Sequence, residues 1–379
     1  MIDKFIILSE APLTNKIFRD RFVEDLINLF KKNFEFWTIN KKLHKNNDPF
    51  KINKNYVKHI KNLNQYKNKI KENENKKVIF LFLLPLNKDY VKYFKMIKIK
   101  RSYHIYITWG SMPYENPSIY TKIFNKLYLF FKGKRFLLIK PKNEFYKFFD
   151  LTFYAGESLK AKSNYIAKKI KKISLIDHDH YTKYKNSKTK NIAVFLDQAL
   201  TCHSDFNDLD KKKNKNHFEY YKSLENFFLR VEKKYSIKVV IALHPKNYLS
   251  KKNFFKREIY TNETPQLVSK SKFVLCHTSL SISYAVLNYK PIIFLDSKLI
   301  SDYSDFGEDS LIIDSLRKFL GSDKFYVDKV YDDINLNFKL NIKAYNNYIH
   351  RFIKSKSIPN ISARKIFIDE VIKIKNHDI

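Results

Sequence analysis

The chain has 379 residues, of which 44% are hydrophobic and 16% aromatic, and it carries a formal net charge of +35. This length exceeds one ordinary core and favours two domains of about 150 to 200 residues each. The charge suggests a nucleic-acid or membrane partner. However, it comes almost entirely from lysine, with only nine arginines, and it is spread along the chain. Because nucleic-acid readers depend on arginine for bidentate contacts, we expect a solvated lysine surface and no nucleic-acid partner.

Cysteine usage and hydropathy predict a cytoplasmic protein. Cys202 and Cys276 allow at most one disulfide, which suits a reducing compartment. The N-terminus enters a predicted strand at once and lacks the features of a signal peptide. The most apolar run, residues 78–86, is far shorter than the roughly 20 residues that a spanning helix needs. Contact with the inner face of the cytoplasmic membrane stays open.

The first half of the chain alternates short apolar runs with amphipathic stretches, which indicates βα units and a parallel sheet. The predicted strands are 4–9, 34–39, 78–84, 104–109, 135–139, 151–155 and 173–176. The predicted helices include 18–31 and 117–131, and the segment 41–77 is compatible with one helix.

The second half repeats this pattern after a polar segment, 181–190, which reads as a linker. Its predicted strands are 191–196, 238–243, 257–260, 273–276 and 291–295. Its predicted helices are 217–234, 265–269 with Thr264 as N-cap, 280–288, 342–355 and 363–375. We therefore predict two doubly wound Rossmann-like domains, 1–180 and 191–340, with C-terminal helices in 341–379 able to pack back on the first domain.

Polar clusters follow two strands of the second domain. One cluster holds His244, Pro245 and Lys246, and the other holds His277, Thr278, Ser279 and Ser281. Ligands bind at the carboxyl ends of strands in open α/β sheets, and a helix start offers N–H groups to an anion. With only five glycines the chain has no glycine-rich dinucleotide or Walker loop. The clusters therefore predict a phosphate-bearing ligand held by hydroxyls, helix N–H groups and lysine.

The order of these motifs resembles bacterial GT-B glycosyltransferases that use CMP-activated nonulosonic acids or Kdo, including sialyltransferases and enzymes of capsule and lipopolysaccharide assembly. The resemblance covers residues 177–297. It implies a GT-B fold with two domains facing a cleft, a CMP-sugar donor, a glycan or glycolipid acceptor, and no metal or other cofactor. It also implies that His244 and Pro245 bind the donor phosphate, with His244 as the acid, and that Thr278, Ser279 and Ser281 hold the phosphate or nucleotide.

The base that takes the acceptor proton is open among several residues. Asp197 lies where the family places an acidic pair followed by glycine, but here Gln198 and Ala199 follow it. The competing candidates are His203 and Asp205 nearby, and Glu10 and Glu157 in the first domain. Glu10, Trp109, Ser111 and Glu157 are the predicted acceptor-side residues, while Lys246, Thr264 and His277 complete the predicted donor side.

Three alternatives remain at this point. Asp177 and Asp179 have the Asp-x-Asp spacing of a metal site and would point the same way on a strand, although a hinge between domains is the favoured interpretation. The donor could be a UDP- or GDP-sugar, or the enzyme could act on polymers of the teichoic-acid type. The last alternative is a basic nucleic-acid-binding or membrane-binding protein without catalysis.

Overall fold

The structure is a computed structural model, and it describes residues 2–39, 52, 54–97, 99–113, 144–200, 217–244, 255–303 and 308–376. The described residues divide into two compact units. Unit 1 takes them from Met1–Trp109, Ile139–Ile176 and Lys354–Ile379, and unit 2 from Gly110–Leu138 and Asp177–Ile353. Within the described part of the chain, no helix is both long and apolar enough to cross a membrane.

Unit 1 is built on a parallel sheet of seven strands. They are β1 (Lys4–Ser9), β2 (Phe34–Thr38), β3 (Val57–His59), β4 (Val78–Leu83), β5 (Ser102–Thr108), β6 (Phe149–Ala155) and β7 (Ala167–Ile173). Their spatial order is β3-β2-β1-β4-β5-β6-β7. The run Val-Ile-Phe-Leu-Phe-Leu of β4 is buried on both faces, as a central strand of a parallel sheet requires.

The described helices of unit 1 cover this sheet. They are α1 (Asn15–Asp20), α2 (Val23–Phe30), α3 (Leu63–Lys71), α4 (Lys88–Lys95) and α5 (Lys160–Ile166), with short 3₁₀ turns at Lys31–Asn33 and Glu157–Leu159. The abundant asparagine of this sequence supplies helix caps, because the side chain of Asn62 accepts the N–H of Gln65 and that of Asn87 accepts the N–H of Asp89. Aromatic residues fill the core between the helices and the sheet, with Trp37, Phe80 and Phe82 almost fully buried.

Unit 2 contains a second parallel sheet, of six strands. They are β8 (Ile192–Leu196), β9 (Lys238–Leu243), β10 (Ile259–Thr261), β11 (Phe273–Cys276), β12 (Ile292–Asp296) and β13 (Lys324–Tyr326), in the order β10-β9-β8-β11-β12-β13. Its described helices are α6 (Ile176–Tyr184), α7 (His217–Tyr235), α8 (Thr264–Lys270), α9 (Ile282–Leu287), α10 (Lys298–Tyr303), α11 (Glu308–Leu320) and α12 (Ile342–Tyr348), which continues as a π-helix over Ile349–Ile353.

The two C-terminal helices belong to different units. Helix α12 stays with unit 2, where the Tyr345 hydroxyl donates to the carbonyl of Lys290 at 2.9 Å. The last helix, α13 (Ala363–Asn376), returns to unit 1, where the Phe367 ring packs 5.4 Å from Phe22 and 5.1 Å from Phe153. The expected return to the first domain is therefore made by α13, and α12 does not take part in it.

Four local predictions are wrong. The segment 41–77 is not one helix, because its described residues include strand β3 at Val57–His59 and a helix only over Leu63–Lys71. The strand predicted at 173–176 is instead the end of β7 followed by helix α6, and α6 extends into the segment predicted as a linker. The helix predicted over 18–31 is broken at Phe22, which has a left-handed φ of 56°. Thr264 is the first residue of α8, and its N-cap is Glu263. The strand predicted at 135–139 and the helix predicted at 117–131 lie outside the described residues.

Candidate functional site

The strand order of unit 2 places a topological switch point between β8 and β11. The chain proceeds from β8 outward through β9 and β10, and from β11 outward through β12 and β13. Connections therefore leave these two neighbouring strands toward opposite sides, and ligands of doubly wound sheets bind beyond the carboxyl ends at such a switch point. Asp197 and Gln198 follow β8, and His277 and Thr278 follow β11. The cluster after β11 thus lies at the switch point beside Asp197 and Gln198, and His244, the described residue of the other cluster, follows β9, the neighbour of β8.

Asp197 organises the ends of β8 and β9. Its Oδ1 accepts the backbone N–H of Ala199 at 3.1 Å, and its Oδ2 accepts the backbone N–H of His244 at 3.0 Å. The carboxylate is buried. It also holds Ala199, whose φ of 54° is left-handed and therefore strained for a residue with a Cβ. Since both oxygens accept backbone N–H groups, Asp197 positions His244, and this argues against its use as a general base.

Gln198 and Thr278 join the two strands across the switch point. The Gln198 Oε1 accepts the backbone N–H of Thr278 at 3.1 Å, and the Gln198 amide donates to the Thr278 hydroxyl oxygen. This pair of bonds fixes the loop after β11 against the loop after β8. Because its oxygen accepts the amide, the Thr278 hydroxyl keeps its own hydrogen to donate to a ligand.

His277 is fully buried, and its ring is engaged on both nitrogens. Nδ1 lies 2.6 Å from the carbonyl oxygen of Leu295, and Nε2 lies 2.8 Å from the hydroxyl of Tyr220. A carbonyl oxygen only accepts, so Nδ1 carries the proton and Nε2 accepts from Tyr220. Burial lowers the pKa of His277 to about 4, so the ring is neutral at pH 7. The expectation that this side chain contacts the donor is therefore corrected to a supporting role beneath the site.

The turn before α9 presents hydroxyls more than free N–H groups. The N–H of Ser281 donates to the Ser279 hydroxyl oxygen at 3.2 Å, and the N–H groups of Ile282 and Ser283 donate to carbonyls of the same turn. Ser281 occupies the N-cap position without a side-chain cap bond. The expected anion site at this helix start is therefore reduced to the hydroxyls and to the N–H groups of Ser279 and Leu280, for which the described residues supply no acceptor.

The remaining donor-side and catalytic candidates divide into two groups. Thr264 is half-buried at the start of α8. His203, Asp205, Pro245 and Lys246 lie outside the described residues.

The Asp-x-Asp motif is part of a helix, which removes the geometric reason for a metal site. Asp177 and Asp179 lie in the first turn of α6, where residues two apart point to different sides. The Asp177 carboxylate accepts the Tyr284 hydroxyl at 3.1 Å and also the Ser283 hydroxyl. The Nδ1 of His180 lies 2.9 Å from the same Tyr284 hydroxyl. These contacts anchor α6 to α9. No group of three or more metal-binding side chains occurs among the residues that the structure covers.

The predicted acceptor-side residues have unequal settings. Glu10 directly follows β1, and burial, followed by the nearby Glu10 carboxylate, raises the pKa of Tyr90. Trp109 directly follows β5 and stacks under the Arg21 guanidinium. Glu157 is exposed beyond β6, where it pairs with Lys172 at 3.0 Å. Ser111 is half-buried and falls past the boundary between the units, on the unit 2 side.

Sequence reasoning missed two residues of these sites. Gln198 had no assigned role, although its position directly after Asp197 at a strand end is the signal that places it at the switch point. Arg21 was not considered, because a single arginine between two short helices has no motif around it.

Comparisons with known proteins show the fold. No known family and no curated protein matches the sequence. The solved structure of the wall teichoic acid polymerase TagF matches with a TM-score of 0.52 at 13% identity, over 98% of this chain and 89% of that chain. The UDP-GlcNAc 2-epimerase from Methanocaldococcus jannaschii matches with a TM-score of 0.43 at 10% identity, over 98% of this chain and 99% of that chain. MnaA from S. aureus with UDP matches with a TM-score of 0.43 at 12% identity, over 98% of this chain and 97% of that chain. Together with the two doubly wound sheets, the TagF match confirms the predicted GT-B fold class.

Proposed function

We propose that this chain is a GT-B glycosyltransferase that moves a nonulosonic acid or Kdo-type sugar from a CMP donor to a surface-glycan or glycolipid acceptor, without a metal. The fold and the motif order of residues 177–297 support the proposal. The observation that carries it is the network at the unit 2 switch point, where Asp197 holds the backbone of His244 and Gln198 holds Thr278. In this proposal the His244 side chain and the Thr278 hydroxyl act on the same ligand beyond the strand ends.

The chemistry follows from the groups present. Breaking the bond between the donor phosphate and the anomeric carbon leaves negative charge on the phosphate. A histidine, whose ordinary pKa is close to neutral pH, can donate a proton to the oxygen of the departing phosphate. Hydroxyl donors such as Thr278 and Ser281 stabilise the negative charge as it develops. In this proposal His244 is the acid, Asp197 positions it, and the hydroxyls hold the phosphate.

The acceptor hydroxyl must lose a proton as the new bond forms. Of the described carboxylates at strand ends, Asp197 accepts two backbone N–H groups and Glu157 is paired with Lys172. Glu10 directly follows β1, which neighbours β4 at the switch point of the unit 1 sheet. We therefore assign the base to Glu10 ahead of Asp197 and Glu157, with His203 and Asp205 as the competing residues.

The test is a thermal-shift titration with CMP, CDP, UDP and GDP, each with and without EDTA. A ligand that binds only the native state stabilises it by about 2.7 kcal/mol at 100 times its dissociation constant. We expect CMP to raise the melting temperature most, and the shift to persist in EDTA. Thr278→Val, which keeps the side-chain shape and removes the hydroxyl, should weaken this shift, whereas Thr182→Val, on α6, should not.

Other outcomes would contradict the proposal in distinct ways. Stabilisation by UDP or GDP alone would replace the donor class and favour the UDP- or GDP-sugar alternative. Stabilisation by CDP alone would favour activated donors of polymer synthesis, as in the teichoic-acid alternative. No shift with any nucleotide would overturn the glycosyltransferase assignment.

A further inference from the structure

Arg21 and Trp109 form a stacked pair in unit 1. Arg21 lies in the turn between α1 and α2, and its guanidinium carbon is 4.3 Å from the centre of the Trp109 ring. The ring of Phe22 meets the same indole edge to face at a centroid distance of 6.3 Å. Guanidinium groups stack on aromatic faces with a favourable cation–π attraction. The stack therefore fixes the plane of the guanidinium and leaves its in-plane donors for other partners.

Each member of this pair has a buried donor without a partner. The Nη1 of Arg21 and the Nε1 of Trp109 are both buried, and neither has a hydrogen-bond partner among the described residues. Buried polar groups are almost always hydrogen-bonded, and leaving one unsatisfied is unfavourable. These two atoms thus belong to side chains that contact each other. Their occurrence together indicates a site that a ligand completes.

The guanidinium also lacks a counter-ion within the described residues. The neighbouring carboxylate, Asp20, takes the Nε of Arg19 at 2.7 Å, and no described carboxylate is within ion-pair distance of Arg21. Burial lowers the pKa of Arg21 to about 10, with Asp20 and Tyr106 opposing the shift, so the group is still charged at pH 7. The attraction of Asp20 offsets only part of this effect of burial, and an anionic ligand would offset more of it.

The pair lies at the binding edge of the unit 1 sheet. In the order β3-β2-β1-β4-β5-β6-β7 the switch point falls between β1 and β4, and ligands bind beyond the carboxyl ends there. Trp109 directly follows β5, and the hydroxyl of Tyr106 on that strand donates to the carbonyl of Leu84, just past β4. The carboxylate of Glu10, just past β1, acts electrostatically on the same Tyr106. Arg21 and Trp109 are therefore beside the proposed base.

We propose that Arg21 and Trp109 form a subsite for an oxyanion of the acceptor, a phosphate or a carboxylate. The guanidinium pairs with the anion and the indole N–H donates to one of its oxygens. This inference rests on the proposed function and narrows it, because it makes the acceptor an anionic glycan or glycolipid and not a neutral sugar.

The test measures anion binding by the full chain. The melting temperature is followed during titration with inorganic phosphate and, separately, with acetate, against sodium chloride at matched ionic strength. The variants are Arg21→Gln, Trp109→Phe, which keeps the ring and removes the N–H, and Arg19→Gln as the matched control on the neighbouring half-exposed arginine. A CMP titration of each variant reports on unit 2 independently.

We expect one of the two anions to raise the melting temperature of the wild type, and the stronger of them to identify the acceptor group. Arg21→Gln should abolish the shift, Trp109→Phe should weaken the affinity about tenfold, as expected for one lost hydrogen bond of about 1.4 kcal/mol, and Arg19→Gln should leave it unchanged. If Arg21→Gln does not fold, Trp109→Phe alone decides.

The inference is overturned if neither anion shifts the wild type more than chloride does, or if Trp109→Phe binds the anion as the wild type does. A normal anion shift without any nucleotide shift would leave this subsite standing and remove the glycosyltransferase proposal. A normal nucleotide shift without an anion shift would do the opposite.

Discussion

His244 is the residue on which the proposed chemistry depends most directly. Its backbone is held by Asp197 at the end of β9, and its side chain is half-buried. We expect His244→Ala to lower kcat by about 10² or more, because a general acid contributes on the order of 10²–10⁴. Turnover of a CMP-sugar, measured together with the melting temperature, checks this. A folded variant with unchanged kcat would leave His244 only a structural role.

Glu10 and Glu157 offer a matched pair for the base. Glu10 directly follows β1, and Glu157 lies two residues after the end of β6. Glu157 is paired with Lys172 on the surface, whereas no ion pair of Glu10 occurs among the described residues. We expect Glu10→Gln to reduce kcat by about 10² or more, because the amide cannot accept the proton of the acceptor hydroxyl. Glu157→Gln should stay close to wild type. The reverse result would move the base to Glu157.

His277 makes stability depend on pH in a defined direction. Its folded pKa is lowered to about 4 by burial, while the unfolded value is 6.5. Between these two values the unfolded state binds a proton that the folded state does not, so stability falls as the pH drops below 6.5 and is retained above it. From pH 7 to pH 5 this one group should reduce the free energy of unfolding by about 2 kcal/mol.

Urea unfolding at both pH values, on the wild type and on His277→Gln, isolates this contribution. The variant should be less stable at pH 7, since it loses the bonds to Tyr220 and Leu295. Its loss of stability between pH 7 and pH 5 should nevertheless be smaller than that of the wild type. Equal losses would show that His277 does not titrate in this range.

Motif position predicted which residues meet, but it did not predict what each one does. Asp197, His244 and Thr278 were placed at strand ends from the sequence, and the structure brings those ends together. The burial of His277 could not be seen locally, because Tyr220 lies 57 residues away in sequence and Leu295 on another strand. The contact of Arg21 with Trp109 could not be predicted for the same reason, because the two residues are distant in the chain.

At the level of elements, helix α13 joins the end of the chain to unit 1. Phe367 is fully buried against Phe22 and Phe153, and Arg364 pairs with Asp25 at 2.6 Å. We expect Phe367→Ala to destabilise the protein by about 3–5 kcal/mol, the range for removing a buried phenyl ring. Ile372→Ala, on the exposed face of the same helix, should change stability by about 0.5 kcal/mol or less. Comparable losses in urea unfolding would contradict this packing.

The sequence predicted strands better than the helices beside them. The strands at 238–243 and 273–276 match their observed bounds, because each is a continuous apolar run with polar residues on both sides. The apolar run at 173–176 was misread, since a run of three or four residues fits the end of a strand and the start of a helix equally well. The break at Phe22 depends on a left-handed backbone conformation, and the sequence has no glycine at that position to indicate it.

At the scale of the whole molecule, the charge is the largest unbalanced feature, with 73 Lys and Arg against 38 Asp and Glu. Such an excess repels itself in the compact state, and salt screens the repulsion over a Debye length of about 10 Å at 0.1 M. Some of the described ion pairs that salt would weaken are exposed, as with Lys238 and Glu258, and exposed pairs contribute only about 0.2–1 kcal/mol each.

We therefore expect the protein to become more stable as sodium chloride rises from 50 mM to 500 mM. A net gain of about 1 kcal/mol would raise the melting temperature by about 2–4 °C for units of this size. Chloride is the suitable salt, because phosphate would also occupy the subsite proposed at Arg21 and would stabilise for a different reason. The same Arg21→Gln variant separates these effects, since its response to chloride should equal that of the wild type. A melting temperature that falls with chloride would mean that the ion pairs outweigh the repulsion, and the lysine surface would then be a stabilising network.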